Sequence, residues 1–196
     1  PPYRNWRRAV TDLPAAAVEP QAGAKCTFDR TSKIASAGSC FAARIAHELK
    51  RHGFNYLLTE PPFHWMTADM RDQYNYGTYS ARYGNVYTTV QLLQLMERAL
   101  DLFEPADDIW PGPDGTFVDP FRPSIQPGNF SSLAELRADR AQHLRAVRQL
   151  FEQLDVFVFT LGLTEAWRST VDGAVYPACP GRGKGLFDPA RYEPRN

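Results

Sequence analysis

The stretch "KIASAGSCFAARIAHELKRHGF" (residues 33–54) sets the fold class. Its first part, "KIASAG", is short and mostly apolar, the pattern of a buried strand. A helix pattern follows at once over 40–52, with Phe41, Ile45 and Leu49 four residues apart on one face. Gly53 stands just past the last turn, where a helix stop belongs. A tight strand-to-helix turn needs its glycine, Gly38. It does not need a hydroxyl and a thiol side by side, so Ser39 and Cys40 are the first candidate functional residues.

Further along, "FNYLLTEPPFHW" begins like a second strand and breaks at Pro61 and Pro62. "DQYNYGTYSARYGNVYTT" is aromatic, polar and punctuated by glycine, which reads as a loop with structure of its own. Thr88 or Thr89 caps a helix over "TVQLLQLMERALDLF", and a small hairpin is expected around Asp114 and Gly115. The clearest helix is 131–154: Ser131 and Ser132 cap it, Glu135 offers a capping box, and Leu144, Val147, Phe151 and Leu154 form its stripe. It runs into "DVFVFTLG", the near-continuous apolar run of a parallel strand buried on both faces. After that come a hairpin at Asp172 and Gly173 and then loop. Residues 1–32 read as an arm packing on the domain, with one helical turn near Trp6.

Strand, helix, long helix and buried strand together argue for α/β architecture with a parallel sheet. Sites in such sheets gather beyond the carboxyl ends of the strands. Two segments answer that description, "GSCFA" and "GLTEAW", and both are expected to face one crevice.

Bulk composition excludes several function classes. The chain has 196 residues, enough for one domain with a sizeable core, and 22 basic against 22 acidic side chains. A net charge of zero gives no reason to expect nucleic acid or an anionic membrane as partner. No run approaches the ~18 apolar residues of a membrane span. "PPYRNWRRAV" leads into no apolar signal segment, and because it begins with proline rather than methionine the natural start is expected to be missing from it. Three cysteines, Cys26, Cys40 and Cys179, have no paired spacing, which points to a reducing cytoplasm rather than a disulfide framework. No metal-ligand spacing occurs, "GRGKG" (residues 181–185) lacks the full phosphate-loop pattern, and no metal or cofactor is expected.

Each candidate has a chemical and a structural reading. A cysteine in the first helical turn meets unpaired backbone N–H groups and the positive end of the dipole, which favour the thiolate and can hold an oxyanion. Alternatively Cys40 is a small core residue and Ser39 a helix cap. Thr164 can donate to an oxyanion or cap a helix. Glu165 can act as a base or orient one. Gly77 can present a backbone N–H. Tyr79, Tyr83 and Asn85 can bind substrate, sugar rings included, or hold their loop to the domain, and Trp167 either joins them or sits in the core. Of the histidines, His47, His52 and His143 fall in or at the end of helices; His64, on a loop, is the candidate base.

Three motifs in order, "AGSCFA", "NYGTYSARYGNVYT" and "TLGLTEAW", resemble the GSCFA family, which is grouped with the SGNH/GDSL hydrolases. The resemblance covers 33–196 and is specific for the family more than for a reaction. It implies a flavodoxin-like three-layer α/β/α sandwich and an acyl ester hydrolase or acyltransferase, acting on a small-molecule or carbohydrate ester. The family pattern Gly-Asp-Ser falls on Gly38, Ser39 and Cys40, so Cys40 holds the nucleophile position. The oxyanion glycine falls on Gly77, and Gly-x-Asn falls on Gly162, Leu163 and Thr164, with threonine replacing asparagine. The resemblance also implies a C-terminal Asp-x-x-His pair, which this chain does not contain. The expected architecture is therefore an arm (1–32) and a C-terminally incomplete SGNH-like domain (33–196). The rival expectation is a non-catalytic module that binds a glycan or a protein.

Overall fold

The computed structural model describes residues 4–18, 25–181 and 184–195. Parts of the N-terminal arm and of "GRGKG" therefore lie outside the described residues. Strand β1 (Ile34–Ala37) is buried along its whole length and pairs in parallel with β4 (Val156–Phe159), Ile34 opposite Val156 and Ala37 opposite Phe159. Tyr56 adds a parallel bridge to Ile34 on the other side of β1. Between them run α1 (Cys40–Arg51), α2 (Ala68–Gln73), α3 (Thr89–Ala99), the two-residue strands β2 (Trp110–Pro111) and β3 (Phe117–Val118), and α4 (Leu133–Gln153). An antiparallel sheet closes the chain: β5 (Ala166–Ser169) lies between β6 (Val175–Tyr176) and β7 (Tyr192–Arg195).

The helix starts follow from side-chain caps. Ser39 accepts from Phe41 N at 3.4 Å, and Thr88 and Gln91 form a reciprocal capping box at the start of α3. Ser132 accepts from Glu135 N at 3.1 Å, while the Glu135 carboxylate reaches one residue further back, to Ser131 N at 2.9 Å. Gly53, just beyond α1, has φ 73° and takes the left-handed stop.

The fold is mixed α/β with a small parallel sheet, and several expectations change. The described residues hold a two-stranded parallel sheet, which does not complete a three-layer sandwich. Strand β4 is half-buried rather than buried on both faces, because β1 is its one strand neighbour among the described residues. The buried face of α1 is Ala42 and Ala46; Ile45 and Leu49 are half-buried and Phe41 is exposed. Small side chains let α1 approach β1 closely, and a stripe of bulky ones would hold it off. The tail expected to be loop supplies β7.

The main core joins Ala35 and Ala37 of β1, Ala42 of α1, Tyr79, Ala81, Tyr83 and Val86 of the aromatic loop, Leu95 and Ala99 of α3, and Val147 and Leu150 of α4. A second cluster gathers Trp110, Val118, Ala174, Tyr176 and Tyr192. Residues 4–18 contribute none of these side chains; their short helical turns, Arg7–Thr11 and Ala15–Ala17, bury no residue. No helix among the described residues is long and apolar enough to cross a membrane.

Candidate functional site

The strand-to-helix turn is held from two sides. Gly38 has φ 145°, and its carbonyl accepts from Val86 N at 2.9 Å, tying the aromatic loop to the end of β1. Ser39 then caps α1, and Cys40 opens its first turn with the side chain exposed. Cys40 lines a cavity of about 350 Å³ whose wall on the aromatic-loop side includes Asn75, Thr78, Tyr79, Asn85 and Tyr87. Across from these lie Phe121, Arg122 and Ser124 of the segment after β3, with Pro177 after β6.

A polar chain runs along that wall. The Tyr79 hydroxyl lies 2.9 Å from the Ser39 carbonyl and 2.7 Å from Asn85 Oδ1, and Asn85 Nδ2 donates to the Tyr87 hydroxyl at 3.0 Å. Burial, reinforced by Tyr87 and Cys40 nearby, pushes Tyr79 up to about 12, so it remains a neutral donor at pH 7. Tyr83 stacks on Tyr79 at 5.6 Å, but it is buried and its hydroxyl donates to the Ser36 carbonyl. It supports the wall and does not line this cavity.

The other expected site residues are dispersed. Thr164 and Glu165 line a separate groove of about 1020 Å³ with Thr88, Val90, Leu161 and Arg168. Gly162 belongs to that groove yet abuts Ser39: a Cβ at position 162 would stand 3.8 Å from Ser39 Oγ. The N–H groups of Gly162 and Leu163 point at the Tyr87 carbonyl at 3.4 and 3.5 Å, so Tyr87 forms part of the partition between groove and cavity. Gly77 lines a neighbouring recess with His47 and Lys50, and its carbonyl accepts from Lys50 Nζ at 2.6 Å. His64 is exposed on a turn, outside the cavity. Trp167 is in β5, edge-on to Phe187 at 5.5 Å.

Of the expected residues, the cavity therefore joins Cys40, Tyr79 and Asn85, with Ser39 at its margin through its carbonyl. It also contains Asn75, Thr78, Tyr87 and Arg122, which the sequence reading passed over. Asn75, Thr78 and Tyr87 lie in the quoted aromatic motif and were within reach. Arg122 comes from "DPFRP", where nothing local announces a cavity.

Behind the wall lies a chain of buried charges. His143 Nδ1 donates to Glu60 Oε2 at 2.8 Å, and Arg82 N donates to the same oxygen at 2.7 Å. Arg82 and Arg122 share Asp139 at 2.8 and 2.7 Å, and Arg122 also holds Asp119 at 2.9 Å. Burial raises the cost of every charge here, but the pairing prevails. Glu60 is held down to about 2 by His143 and the arginines, and Asp119 lies well below the usual carboxylate range. Burial and the Arg122 charge bring His143 down to about 4, leaving it neutral at pH 7. It is a structural histidine, far from exposed chemistry.

Together these features define a mixed α/β domain with a thiol-bearing strand-to-helix turn on a cavity whose largely apolar lining carries several hydrogen-bonding side chains. The profile of the GSCFA family matches residues 33–195, and the chain belongs to that family. No curated protein and no solved structure matches it.

Proposed function

We propose that this chain is an acyl ester hydrolase or acyltransferase of SGNH/GDSL type, with Cys40 as nucleophile. The observation that carries the reading is the exposed Cys40 side chain on the first turn of α1, within a cavity lined by hydrogen-bonding groups. A second fact favours sulfur over oxygen. None of the histidines lines the cavity, and a serine hydroxyl without an adjacent base is a poor nucleophile, whereas cysteine carries some thiolate at neutral pH. Ser39 Oγ is also engaged as the helix cap.

In this mechanism the Cys40 thiolate attacks the acyl carbon, forming a C–S bond and a tetrahedral oxyanion. The Cys40 N–H, unpaired within the helix, stabilises that charge. Collapse breaks the ester C–O bond, and the departing alkoxide takes a proton from water. Water or a second hydroxyl then attacks the thioester and releases the thiolate. Asn75, Asn85 and Tyr87 offer donors and acceptors suited to an acylated carbohydrate. Thr164, Glu165, Gly77 and His64 stand outside this cavity and have no step in the scheme.

The absence of a histidine from the cavity equally favours the second reading, a glycan- or protein-binding module. Turnover of p-nitrophenyl acetate separates the two. Cys40→Ala is expected to lower it at least 100-fold, while Ser39→Ala leaves most of it and costs stability. Turnover unchanged in both variants excludes both nucleophiles. No turnover at all, with retained glycan binding by Cys40→Ala, selects the binding module.

A further inference from the structure

The proposed reaction so far gives its oxyanion one donor, the Cys40 N–H. Gly77 and Thr164, expected as further donors, stand outside the Cys40 cavity. The polar chain on the cavity wall supplies another through its proton count. Tyr79, 4% exposed, has one hydroxyl proton. The shorter of its two contacts, 2.7 Å, is to Asn85 Oδ1, while the Ser39 carbonyl at 2.9 Å already accepts from Ala43 N. With Oδ1 taken, Asn85 turns its Nδ2 to the Tyr87 hydroxyl at 3.0 Å, and that hydroxyl oxygen is the acceptor. The Tyr87 proton is then left over, and it donates to no acceptor among the described residues.

Tyr87 is half-buried and lines the Cys40 cavity. Its backbone is held on both sides: its N donates to Gln91 Oε1 at 2.8 Å, and its carbonyl faces the N–H groups of Gly162 and Leu163. The ring lies beside the thiol-bearing turn. A Cβ built on Gly162 would stand 4.0 Å from Tyr87 Cδ1 and 3.8 Å from Ser39 Oγ, so the ring and the residue before Cys40 are neighbours across Gly162. A neutral O–H, fixed before any charge forms, is the kind of group that stabilises an oxyanion with little reorganisation.

We propose that the Tyr87 hydroxyl is a catalytic donor to the oxyanion formed when Cys40 attacks the acyl carbon, with Asn85 as its positioning residue. The inference rests on Cys40 being the nucleophile. In that step the thiolate electron pair makes the C–S bond and the carbonyl π pair moves onto oxygen. The Tyr87 O–H and the Cys40 N–H donate to that oxygen, and neither gives up its proton. Collapse returns the pair to C=O and breaks the C–O bond to the leaving group.

The test measures acylation of Cys40 by p-nitrophenyl acetate, read as the p-nitrophenolate burst and as the intact-mass gain of one acetyl group, beside alkylation by iodoacetamide. Alkylation displaces iodide from a saturated carbon and forms no oxyanion, so it reports the thiol alone. Tyr87→Phe is expected to slow acylation about 100-fold and to leave alkylation unchanged. Asn85→Ala, at an exposed position, is expected to slow acylation less, and to add no further loss in Tyr87→Phe. Acylation as fast in Tyr87→Phe as in the unsubstituted chain overturns the inference and leaves Cys40 as nucleophile. Equal loss of acylation and alkylation also overturns it, because Tyr87 then acts on the thiol or on the fold. If Tyr87→Phe does not fold, unchanged acylation in Asn85→Ala overturns it instead. No acylation of Cys40 in the unsubstituted chain overturns the nucleophile reading, and this inference with it.

Discussion

Position 38 leaves no room for a side chain. A Cβ there would fall on Thr160 Oγ1, inside contact distance, and stand 3.0 Å from Ala42 Cβ, on a backbone whose φ of 145° L-residues rarely adopt. Gly38→Ala is therefore expected to cost about 3 kcal/mol or more, measured by urea unfolding, because strain and overpacking add. His143 sets a second expectation at this scale. It faces Glu60, Arg82, Arg122 and Asp119, with Tyr83 against its ring. Its folded pKa, about 4, lies below the unfolded 6.5, so the unfolded chain binds the proton first as pH falls. Stability is complete above about pH 6.5 and declines as pH drops from there through 4. Glu60, lowered from 4.5 to about 2, adds a second decline below 4.5 with the same sign. Unfolding midpoints measured against pH should show both. His143→Gln is expected to flatten the upper decline and leave the lower one.

Among the elements, α3 shows how local signals and tertiary demands meet. Its cap was legible as Thr88 or Thr89 and the structure takes Thr88; Thr88→Ala is expected to cost about 1 kcal/mol, lowering the unfolding midpoint by roughly 2–4 °C. The roles of Gln91 and Arg98 were not legible, because polar residues on a helix normally read as a solvated face. Here α3 packs against α4 and β6, and that packing buries the face carrying Gln91, Gln94, Leu95 and Arg98. Helix α1 teaches the converse. Its span and stop were plain in the sequence, yet hydrophobic spacing pointed to Phe41, Ile45 and Leu49 while the core takes Ala42 and Ala46. Periodicity ranks side chains by apolar size. Packing against a close strand selects small ones.

For the molecule as a whole, the charge chain is the feature that joins the parts. Glu60 precedes the Pro61–Pro62 break, Arg82 comes from the aromatic loop, Asp119 and Arg122 from the segment after β3, and Asp139, Arg140 and His143 from α4. Arg122→Met would leave Asp119 without its closest partner and Asp139 with Arg82 alone in the interior. The expected loss is about 3–5 kcal/mol in chemical unfolding. Arg44→Ala, breaking an exposed pair with Glu48 at 3.0 Å, should leave the chemical unfolding curve close to that of the unsubstituted chain. The contrast distinguishes a network that organises the core from charge that merely decorates a surface.

The sequence by itself determined the strand, turn and helix at residues 33–54, the caps of α3 and α4, both hairpins, and the family. Those features depend on neighbours a few positions apart, whose dihedral and capping preferences act locally. Only the tertiary structure decided that Cys40, Asn85 and Arg122 share a cavity while Thr164 and Glu165 line another, and that α3 turns Gln91 and Arg98 inward. Such relations join residues tens of positions apart, and they arise from how the loops fold over the sheet rather than from any spacing along the chain.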